Sequence, residues 1–350
     1  MAIRVFLVED SPIALHILEN IINSATDLVV VGSAQSGVEA LQAIPAAKPD
    51  VICTDFYLKE MDGLALIQQV MAHFPRPILV VSVAVGEGHE QRVGELLQAG
   101  AIDVLPKPVL GLSEAEIKTE LLTKIRILAG VKVFTRPLRP VEHLEPKPSF
   151  SPAIPRFDQG PSIVGIGAST GGPQAVFKIL SHLPAQFPLP ILCTQHISEG
   201  FLGGLVSWMN QECALRVKIA APDEEPIGGT VYYAPERLNL EIDRRGRLQT
   251  TPPLITELHC PAIDVMFHSL ARHRGPASIG ILLTGMGKDG AKGLQAIATM
   301  GGLTVAQDEQ TCVVFGMPRE AILLGAAQEV LPLTAIGPWL MKACCSPLTL

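Results

Sequence analysis

The sequence contains no uncharged apolar run that approaches the roughly 18 residues needed to cross a bilayer. It begins MAIRVFLVED, without the basic start, long apolar stretch and small-residue cleavage site that mark an exported protein. Its 48% of apolar and 17% of charged residues are ordinary for folded domains and exclude disorder as the main state. We therefore expect a folded, cytoplasmic protein that does not span a membrane.

Two other patterns are missing. The seven cysteines include no C-x-x-C pair, which argues against a disulfide framework and against a structural zinc site. Residues 1–130 carry 9 Lys and Arg against 16 Asp and Glu, and the remaining 220 residues carry 18 against 18. Because neither part is basic overall, nucleic acid is not expected as a partner.

A length of 350 residues favours two domains, and a proline-rich stretch predicts where they divide. Seven prolines lie between Val131 and Pro161, with polar and charged residues among them. Proline fixes φ and removes a backbone donor, so this stretch is not expected to form a helix or a central strand. We predict a linker at 131–160 between a first domain, 1–130, and a second domain, 161–350.

In the first domain, apolar runs alternate five times with amphipathic runs, which predicts a five-stranded parallel sheet in an α/β fold. The predicted strands are Ile3–Val8, Val29–Val31, Val51–Thr54, Ile78–Ser82 and Ile102–Leu105. The predicted helices are Pro12–Ser24, Gly37–Ile44, Leu64–His73, Gln91–Gln98 and Leu112–Leu128.

The alternation returns after the linker and predicts a second doubly wound α/β domain. Its predicted strands are Ile163–Gly167, Ile191–Gln195, Ser278–Thr284 and Leu303–Ala306. Its predicted helices are Pro173–His182, Phe201–Asn210, Ile263–Arg274 and Ala291–Met300. Three short runs predict an antiparallel insertion in the middle of this domain: Arg216–Ala220, Thr230–Ala234 and Leu238–Ile242.

Acidic residues follow two predicted strands of the first domain: Glu9 and Asp10 end the first, and Asp55 ends the third. Ligands of open α/β sheets bind outside these carboxyl ends, where converging carboxylates favour Mg²⁺. Ser82 ends the fourth strand and Lys107 follows the fifth, so they would supply the donors that a phosphorylated Asp55 requires. Taken singly, Asp10 and Asp55 are equally consistent with helix caps.

As an ordered set, Glu9-Asp10, Asp55, Ser82 and Lys107-Pro108 resemble a two-component receiver domain over about residues 2–128. The resemblance implies a flavodoxin-like sheet and these roles: phosphoacceptor for Asp55, magnesium ligands for Glu9, Asp10 and Asp55, switch hydroxyl for Ser82, and phosphate-contacting cation for Lys107. The sequence departs from the common pattern at Glu9, where Asp is more frequent, and at Val104, where many receivers carry an aromatic switch residue. The second departure makes a switch by aromatic rotation doubtful.

The strand predicted at Ile163–Gly167 runs directly into Ala168-Ser169-Thr170-Gly171-Gly172-Pro173 and a helix. Such a turn exposes the Ser169 side chain at the sheet edge and presents backbone N–H groups to a negative oxygen. The glycines do not match G-x-G-x-x-G, and no Lys follows as in a Walker loop, but G-x-S-x-G is matched. Ser169 is a candidate nucleophile, with a helix-capping serine as the alternative.

A serine nucleophile requires a base, and His196 closes the predicted strand Ile191–Gln195 at the same sheet edge. Asp289 follows the strand predicted at Ser278–Thr284 through a short loop, again at a carboxyl end. It would orient the far nitrogen of the imidazole. In isolation, Asp289 is equally consistent with a loop residue that caps the helix from Gly290.

The segments GASTGG, TQH, IDVMFHS, TGMGKDG and CVVFGMPREA resemble the catalytic domain of the CheB family of chemotaxis protein-glutamate methylesterases, over about residues 161–345. The resemblance implies a Ser169, His196 and Asp289 triad with Thr170 and Met286 near the site, and no cofactor for the hydrolase. It also implies that the unphosphorylated receiver covers the hydrolase cleft.

Together the two resemblances imply phosphorylation-regulated hydrolysis of glutamate γ-methyl esters on methyl-accepting chemoreceptors, with release of methanol, and deamidation of receptor glutamines as a further reaction. The implied partners are these receptors and a CheA-type sensor histidine kinase, and the implied cofactor is Mg²⁺ for receiver phosphorylation only. Two other functions are compatible with a receiver at the start of the chain: a non-catalytic adaptor and a transcription factor. The complete triad argues against the first, and the α/β pattern and balanced charge of residues 161–350 against the second.

Overall fold

The structure, a computed structural model, describes residues 2–83, 91–108, 114–135, 160–255 and 259–345. These residues form two compact units, which are described separately. Most of the predicted linker, 136–159, lies outside the described residues, so the domain boundaries stay predictions. In the part of the chain that the structure describes, no helix is long and apolar enough to cross a membrane.

The first unit is a five-stranded parallel sheet in the order β2-β1-β3-β4-β5, as the alternating pattern predicted. Its strands are β1 (Ile3–Val8), β2 (Leu28–Ala34), β3 (Val51–Thr54), β4 (Ile78–Ser82) and β5 (Asp103–Pro106). Its helices are α1 (Pro12–Asn23), α2 (Gly37–Ala47), α3 (Gly63–His73), α4 (Gln91–Ala99) and α5 (Glu114–Ala129).

Two elements of this unit differ from the prediction by three residues at their carboxyl ends, and the other differences are of one or two residues. β2 extends to Ala34 because its pairing with β1 continues past Val31 after a register shift. α2 continues through Pro45 to Ala47, although the prediction ended at Ile44. Proline keeps a helical φ and, so near the end of a helix, removes only one of the last hydrogen bonds.

The second unit is a seven-stranded sheet in the order β14-β13-β12-β6-β7-β9-β8, in which every neighbouring pair is parallel. Its strands are β6 (Ile163–Ala168), β7 (Ile191–Gln195), β8 (Arg216–Ile219), β9 (Thr230–Tyr233), β12 (Ser278–Leu282), β13 (Leu303–Gln307) and β14 (Glu329–Leu331). Its helices are α6 (Gly172–Leu180), α7 (Leu202–Glu212), α8 (Ile263–Arg274), α9 (Ala291–Thr299), α10 (Met317–Leu323) and α11 (Leu333–Cys345).

The antiparallel insertion is confirmed but smaller than predicted. It consists of β10 (Asn239–Ile242) and β11 (Leu248–Thr251), joined by the turn at Asp243. The assignment of the two preceding strands to this insertion was wrong, because β8 and β9 pair parallel in the main sheet. Gly228 and Gly229 allow this path: a Cβ at either residue would lie 2.4 or 2.6 Å from a backbone carbonyl oxygen of Pro188 or Ala185.

α8 packs directly on β6, and two glycines of that strand make room for it. A Cβ at Gly165 would lie 2.6 Å from Leu270, and one at Gly167 would lie 2.2 Å from Ile263. Phe267, Met266 and Leu270 are fully buried in the core on this face of the sheet. The strand glycines thus serve helix–sheet packing, and they set the position of the N-terminus of α8 relative to the loop after β6.

Candidate active site and phosphorylation site

The acidic residues of the first unit lie at its topological switch point, between β1 and β3. One oxygen each from Glu9, Asp10 and Asp55 lies within 4.8 Å of the others. Neither Asp10 nor Asp55 caps a helix, because the N-caps of α1 and α3 are Ser11 and Asp62. The structure therefore brings all three predicted metal ligands together, with their carboxylates facing one shared pocket.

The predicted hydroxyl and ammonium groups also reach this pocket. The Ser82 hydroxyl donates a 2.7 Å hydrogen bond to Asp55 Oδ1, and Lys107 Nζ donates to Asp55 Oδ2 at 2.5 Å and to Glu9 Oε1 at 2.9 Å. Burial lowers the pKa of Lys107, but its bonds to Asp55 and Glu9 outweigh this effect and raise that pKa overall. Burial raises the pKa of Glu9, which Lys107 only partly offsets.

These residues fit a magnesium ion. Glu9 Oε2 is buried and accepts no hydrogen bond of good geometry, although Lys107 Nζ lies 2.7 Å away. Asp10 is partly exposed, and only Lys59, 3.9 Å away, pairs with it among the described residues. Carboxylate oxygens beside open solvent are the ligand set that Mg²⁺ binds while keeping several waters.

The candidate residues of the second unit follow three adjacent strands in the order β12-β6-β7. Ser169 follows the middle strand, where its N–H donates to Thr284 O at 3.0 Å, and the His196 N–H donates to Ala168 O at 2.9 Å. The side chain of Ser169 does not cap α6, whose N-cap is Gly171 with φ of 75°. Its hydroxyl is left for other chemistry at the sheet edge.

His196 Nε2 lies 2.9 Å from Asp289 Oδ2. Burial raises the pKa of Asp289, but the His196 hydrogen bond and the backbone N–H groups of Ile263 and Asp264 outweigh it, so that pKa is lowered overall. An ionised carboxylate can only accept hydrogen bonds, so the proton in the Asp289–His196 bond is carried by Nε2. The other ring nitrogen, Nδ1, then carries the lone pair of the neutral imidazole. His196 is therefore in the tautomer whose second nitrogen can accept a proton.

Asp289 sits at the N-terminus of α8, which the sequence did not indicate. Its oxygens accept the N–H groups of Ile263 at 2.8 Å, Asp264 at 3.0 Å and Gly290 at 2.9 Å. These bonds, with the positive end of the helix dipole, hold the carboxylate in its charged form. The alternative that Asp289 caps the helix from Gly290 is thus partly right, because Asp289 accepts the N–H of Gly290, which precedes α9. Most of its bonds, however, go to the first N–H groups of α8.

Gln195 was not predicted as a site residue, although its side chain bridges the backbones of Ser169 and His196. Its Nε2 donates to Ser169 O and to His196 O, both at 2.8 Å, and so ties the nucleophile segment to the base segment. The only sequence signal was an amide at the end of a strand of buried residues. The predicted neighbours are also in place: Thr170 O accepts the Thr284 hydroxyl at 3.0 Å.

Met286 follows Gly285 in the loop after β12. A Cβ at Gly285 would lie 2.6 Å from the Cβ of Ser169, so this loop passes directly beside the Ser169 side chain. The side chain of Met286 is 48% exposed. Both predicted neighbours of Ser169, Thr170 and Met286, are thus found on segments that adjoin it.

Comparisons with known proteins agree with this architecture. The family described as CheB methylesterase matches residues 164–340, and the response regulator receiver domain matches residues 5–121. The chain belongs to the CheB methylesterase family. A CheB relative from Syntrophus aciditrophicus (strain SB), named protein-glutamate methylesterase/protein-glutamine glutaminase 1, is 38% identical over 97% of this chain and 98% of its own.

A second full-length relative and one solved catalytic domain are also similar to this chain. A Bordetella pertussis protein named protein-glutamate methylesterase/protein-glutamine glutaminase is 39% identical over 96% of this chain and 95% of its own length. The CheB methylesterase catalytic domain of Thermotoga maritima, known from a crystal structure, is 37% identical and covers 52% of this chain and 98% of its own, with a TM-score of 0.49. The full-length relatives therefore share both parts of this chain, in the same order.

Proposed function

We propose that the protein hydrolyses γ-methyl esters of glutamate residues on chemoreceptors and releases methanol, under control of phosphorylation at Asp55. One observation carries the proposal: the Asp289–His196 hydrogen bond lies at the same sheet edge as Ser169, which follows the strand between theirs. A serine, an imidazole and an ionised carboxylate in this relation support acyl transfer. Membership of the CheB methylesterase family supplies the ester as the acyl donor.

In the reaction, the Ser169 hydroxyl oxygen attacks the ester carbonyl while His196 Nδ1 takes its proton. Asp289 stabilises the imidazolium that forms. His196 then returns the proton to the methoxy oxygen, methanol leaves, and a water molecule repeats the sequence on the acyl-serine to release glutamate. The oxyanion requires backbone N–H donors from the segments beside Ser169, each contributing about 3–4 kcal/mol in comparable enzymes.

Deamidation of receptor glutamines uses the same steps. The leaving group is then ammonia, which takes the proton from His196 in place of methanol. The relatives from Syntrophus and Bordetella carry both activities in their names, and we extend both to this chain.

Phosphorylation is assigned to Asp55, whose carboxylate would accept the phosphoryl group of a CheA-type histidine kinase. Glu9, Asp10 and Asp55 would hold Mg²⁺, which neutralises charge on the transferring phosphoryl group. Ser82 and Lys107 already donate to Asp55 and would donate to phosphate oxygens in the modified state. Val104, buried on β5, stands where many receivers carry an aromatic switch residue, so we expect either a smaller shift on phosphorylation or one that other residues transmit.

The test of the proposed function is methanol release from radiomethylated chemoreceptor membranes of the source cell, with and without a small phosphodonor and Mg²⁺. We expect release that depends on the protein and increases with the phosphodonor. A protein that binds these membranes without releasing methanol would instead be the non-catalytic adaptor.

Removal of divalent metal is expected to affect the two units differently. A chelator should abolish phosphorylation of Asp55, because three carboxylates lose their shared counter-ion. It should leave ester hydrolysis by a fragment from Pro161 onward unchanged. Radiolabelled phosphodonor and methanol release measure the two effects. Loss of fragment activity with chelator would contradict the assignment of metal to the receiver alone.

Deletion of residues 1–130 is expected to raise the basal rate, because the unphosphorylated receiver is proposed to inhibit the hydrolase. Phosphodonor with Mg²⁺ should raise the rate of the full-length protein, and Asp55→Ala should abolish only this second increase. Methanol release measures all three. A fragment no faster than the unphosphorylated whole would show that the receiver acts by activation or by targeting.

Loss of the Gln195 amide is expected to slow turnover. Gln195→Leu removes the donor that joins Ser169 O to His196 O, and small displacements of reacting groups cost up to about 100-fold in rate. We expect at least a tenfold fall in kcat, with Gln211→Leu on α7, whose side chain is exposed, as the control. Unchanged kcat in Gln195→Leu would show that strand pairing alone positions the two residues.

A further inference from the structure

A second imidazole covers the ring of His196. The His259 and His196 rings stack with their centroids 4.7 Å apart and their planes inclined by 26°. His259 lies four residues before Ile263, where α8 begins. The start of α8 donates the N–H groups of Ile263 and Asp264 to Asp289. The segment just before it therefore places the His259 ring on His196, the residue that Asp289 orients.

The stacking supplies a constraint that the hydrogen bond to Asp289 lacks. Among the described residues, the His196 ring makes one hydrogen bond, from Nε2, so beyond its covalent bond to Cβ it is held at one atom and can still tilt about the line through Cγ and Nε2. Such a turn would change the direction of Nδ1, the atom that takes the Ser169 proton in the proposed reaction, and leave Nε2 in place. A ring packed against the face of His196 opposes this rotation, because tilting would break the face-to-face contact.

We propose that His259 is a positioning residue: its ring stacks on His196 and keeps Nδ1 directed to Ser169 while Nε2 stays bonded to Asp289. This inference rests on the proposed function, because it takes His196 as the base. His259 does not exchange a proton with the ester. It acts through its ring face, and its contribution is to the geometry of the proton transfer.

The charge state of His259 suits this role. The described groups that act on its charge are His196 and Asp289, from the loops after β7 and β12. Partial loss of hydration lowers the pKa of His259, the charge of His196 lowers it further, and Asp289 only partly opposes them. His259 therefore stays neutral to lower pH than an ordinary histidine. A neutral ring does not repel the imidazolium that His196 becomes during the reaction.

The experiment compares His259→Ala, His259→Phe and His273→Ala in the full-length protein. Phenylalanine keeps a flat ring but cannot titrate or hydrogen-bond, whereas alanine removes the ring. His273 lies on α8 of the same unit and serves as the control, because among the described residues its side chain makes no hydrogen bond and only its backbone carbonyl accepts one, from Arg274. Steady-state methanol release gives kcat and KM, and thermal unfolding shows whether each variant is folded.

We expect His259→Ala to lower kcat roughly 3- to 10-fold with KM within about twofold of the original, which is the range for one aromatic pair. His259→Phe should recover kcat to within about twofold, and His273→Ala should change neither constant. Unchanged kcat in His259→Ala would overturn the proposal. So would a phenylalanine variant as slow as the alanine variant, or a rise in KM at constant kcat, which would indicate contact with substrate.

A spectroscopic readout separates this inference from the proposed function. The proton between His196 Nε2 and Asp289 is expected to give a low-field NMR resonance, sharp in the original protein and in His259→Phe and broadened in His259→Ala. If the original protein releases no methanol, the proposed function fails, and the resonance still tests the positioning. If methanol is released and the resonance is equally sharp in all variants, only the positioning fails.

Discussion

Ser169→Ala is expected to lower ester hydrolysis by about 10⁴- to 10⁶-fold while the protein stays folded, because triad residues act as one unit. The substitution removes only the hydroxyl. The backbone bonds of this residue, from its N–H to Thr284 O and from Gly172 N–H to its carbonyl, are kept by alanine. Methanol release and the melting temperature measure the two effects.

Ser162→Ala is the matched control, since Ser162 is exposed and precedes the amino end of the same strand. It should leave the rate unchanged. If Ser169→Ala kept more than a tenth of the original rate, Ser169 would not be the nucleophile. A chemotaxis phenotype that Ser169→Ala leaves unchanged would instead favour the non-catalytic adaptor.

Asp289→Ala is expected to lower the rate by about 10⁴-fold and also to destabilise the protein. The rate falls because His196 loses the group that fixes its tautomer and stabilises its charged form. Stability falls because the N–H groups of Ile263, Asp264 and Gly290 lose their acceptor, at about 1–2 kcal/mol for a lost cap. Methanol release and denaturant unfolding measure these two losses separately.

Two further variants, Asp289→Asn and Asp243→Ala, distinguish the loss of rate from the loss of stability. Asn keeps an oxygen for the α8 N–H groups, so we expect it to recover much of the stability but little of the rate. Asp243 likewise accepts two backbone N–H groups, of Arg245 at 2.8 Å and Arg247 at 2.9 Å, but in the turn between β10 and β11. Asp243→Ala should therefore cost stability and leave the rate unchanged. A fast Asp289→Asn variant would remove Asp289 from the triad.

Local patterns predicted most elements of the fold. The bounds of β1, β3, β4, β7 and α8 agree with the prediction residue for residue. Errors arose where strand pairing overrides local signals: β8 and β9 are separated by only ten residues, 220–229, yet run parallel. Parallel pairs usually need a crossover of a dozen or more residues, so sequence spacing favoured the wrong pairing. β11, β14, α10 and α11 were not predicted, since their short or irregular patterns give weak periodicity.

The candidate site was predicted unevenly. Ser169, His196 and Asp289 could be proposed from the sequence because each follows a strand and has a side chain suited to acyl transfer. Gln195 and His259 were missed because their roles depend on partners. A strand-end glutamine looks like any buried amide until Ser169 O and His196 O are seen to lie 2.8 Å from its Nε2, and His259 looks like any loop histidine until its ring is seen to stack on His196.

What the sequence determined by itself was the set of strands and helices and the residues that follow each strand, because backbone propensity and apolar periodicity act over a few residues. Strand order was decided only in the tertiary structure, where β12, β6 and β7 are neighbours and so bring the segments of Asp289, Ser169 and His196 to one sheet edge. The charge of Asp289 was decided there too. It depends on N–H groups of Ile263 and Asp264, 26 and 25 residues earlier in the chain, and electrostatic interactions act through space.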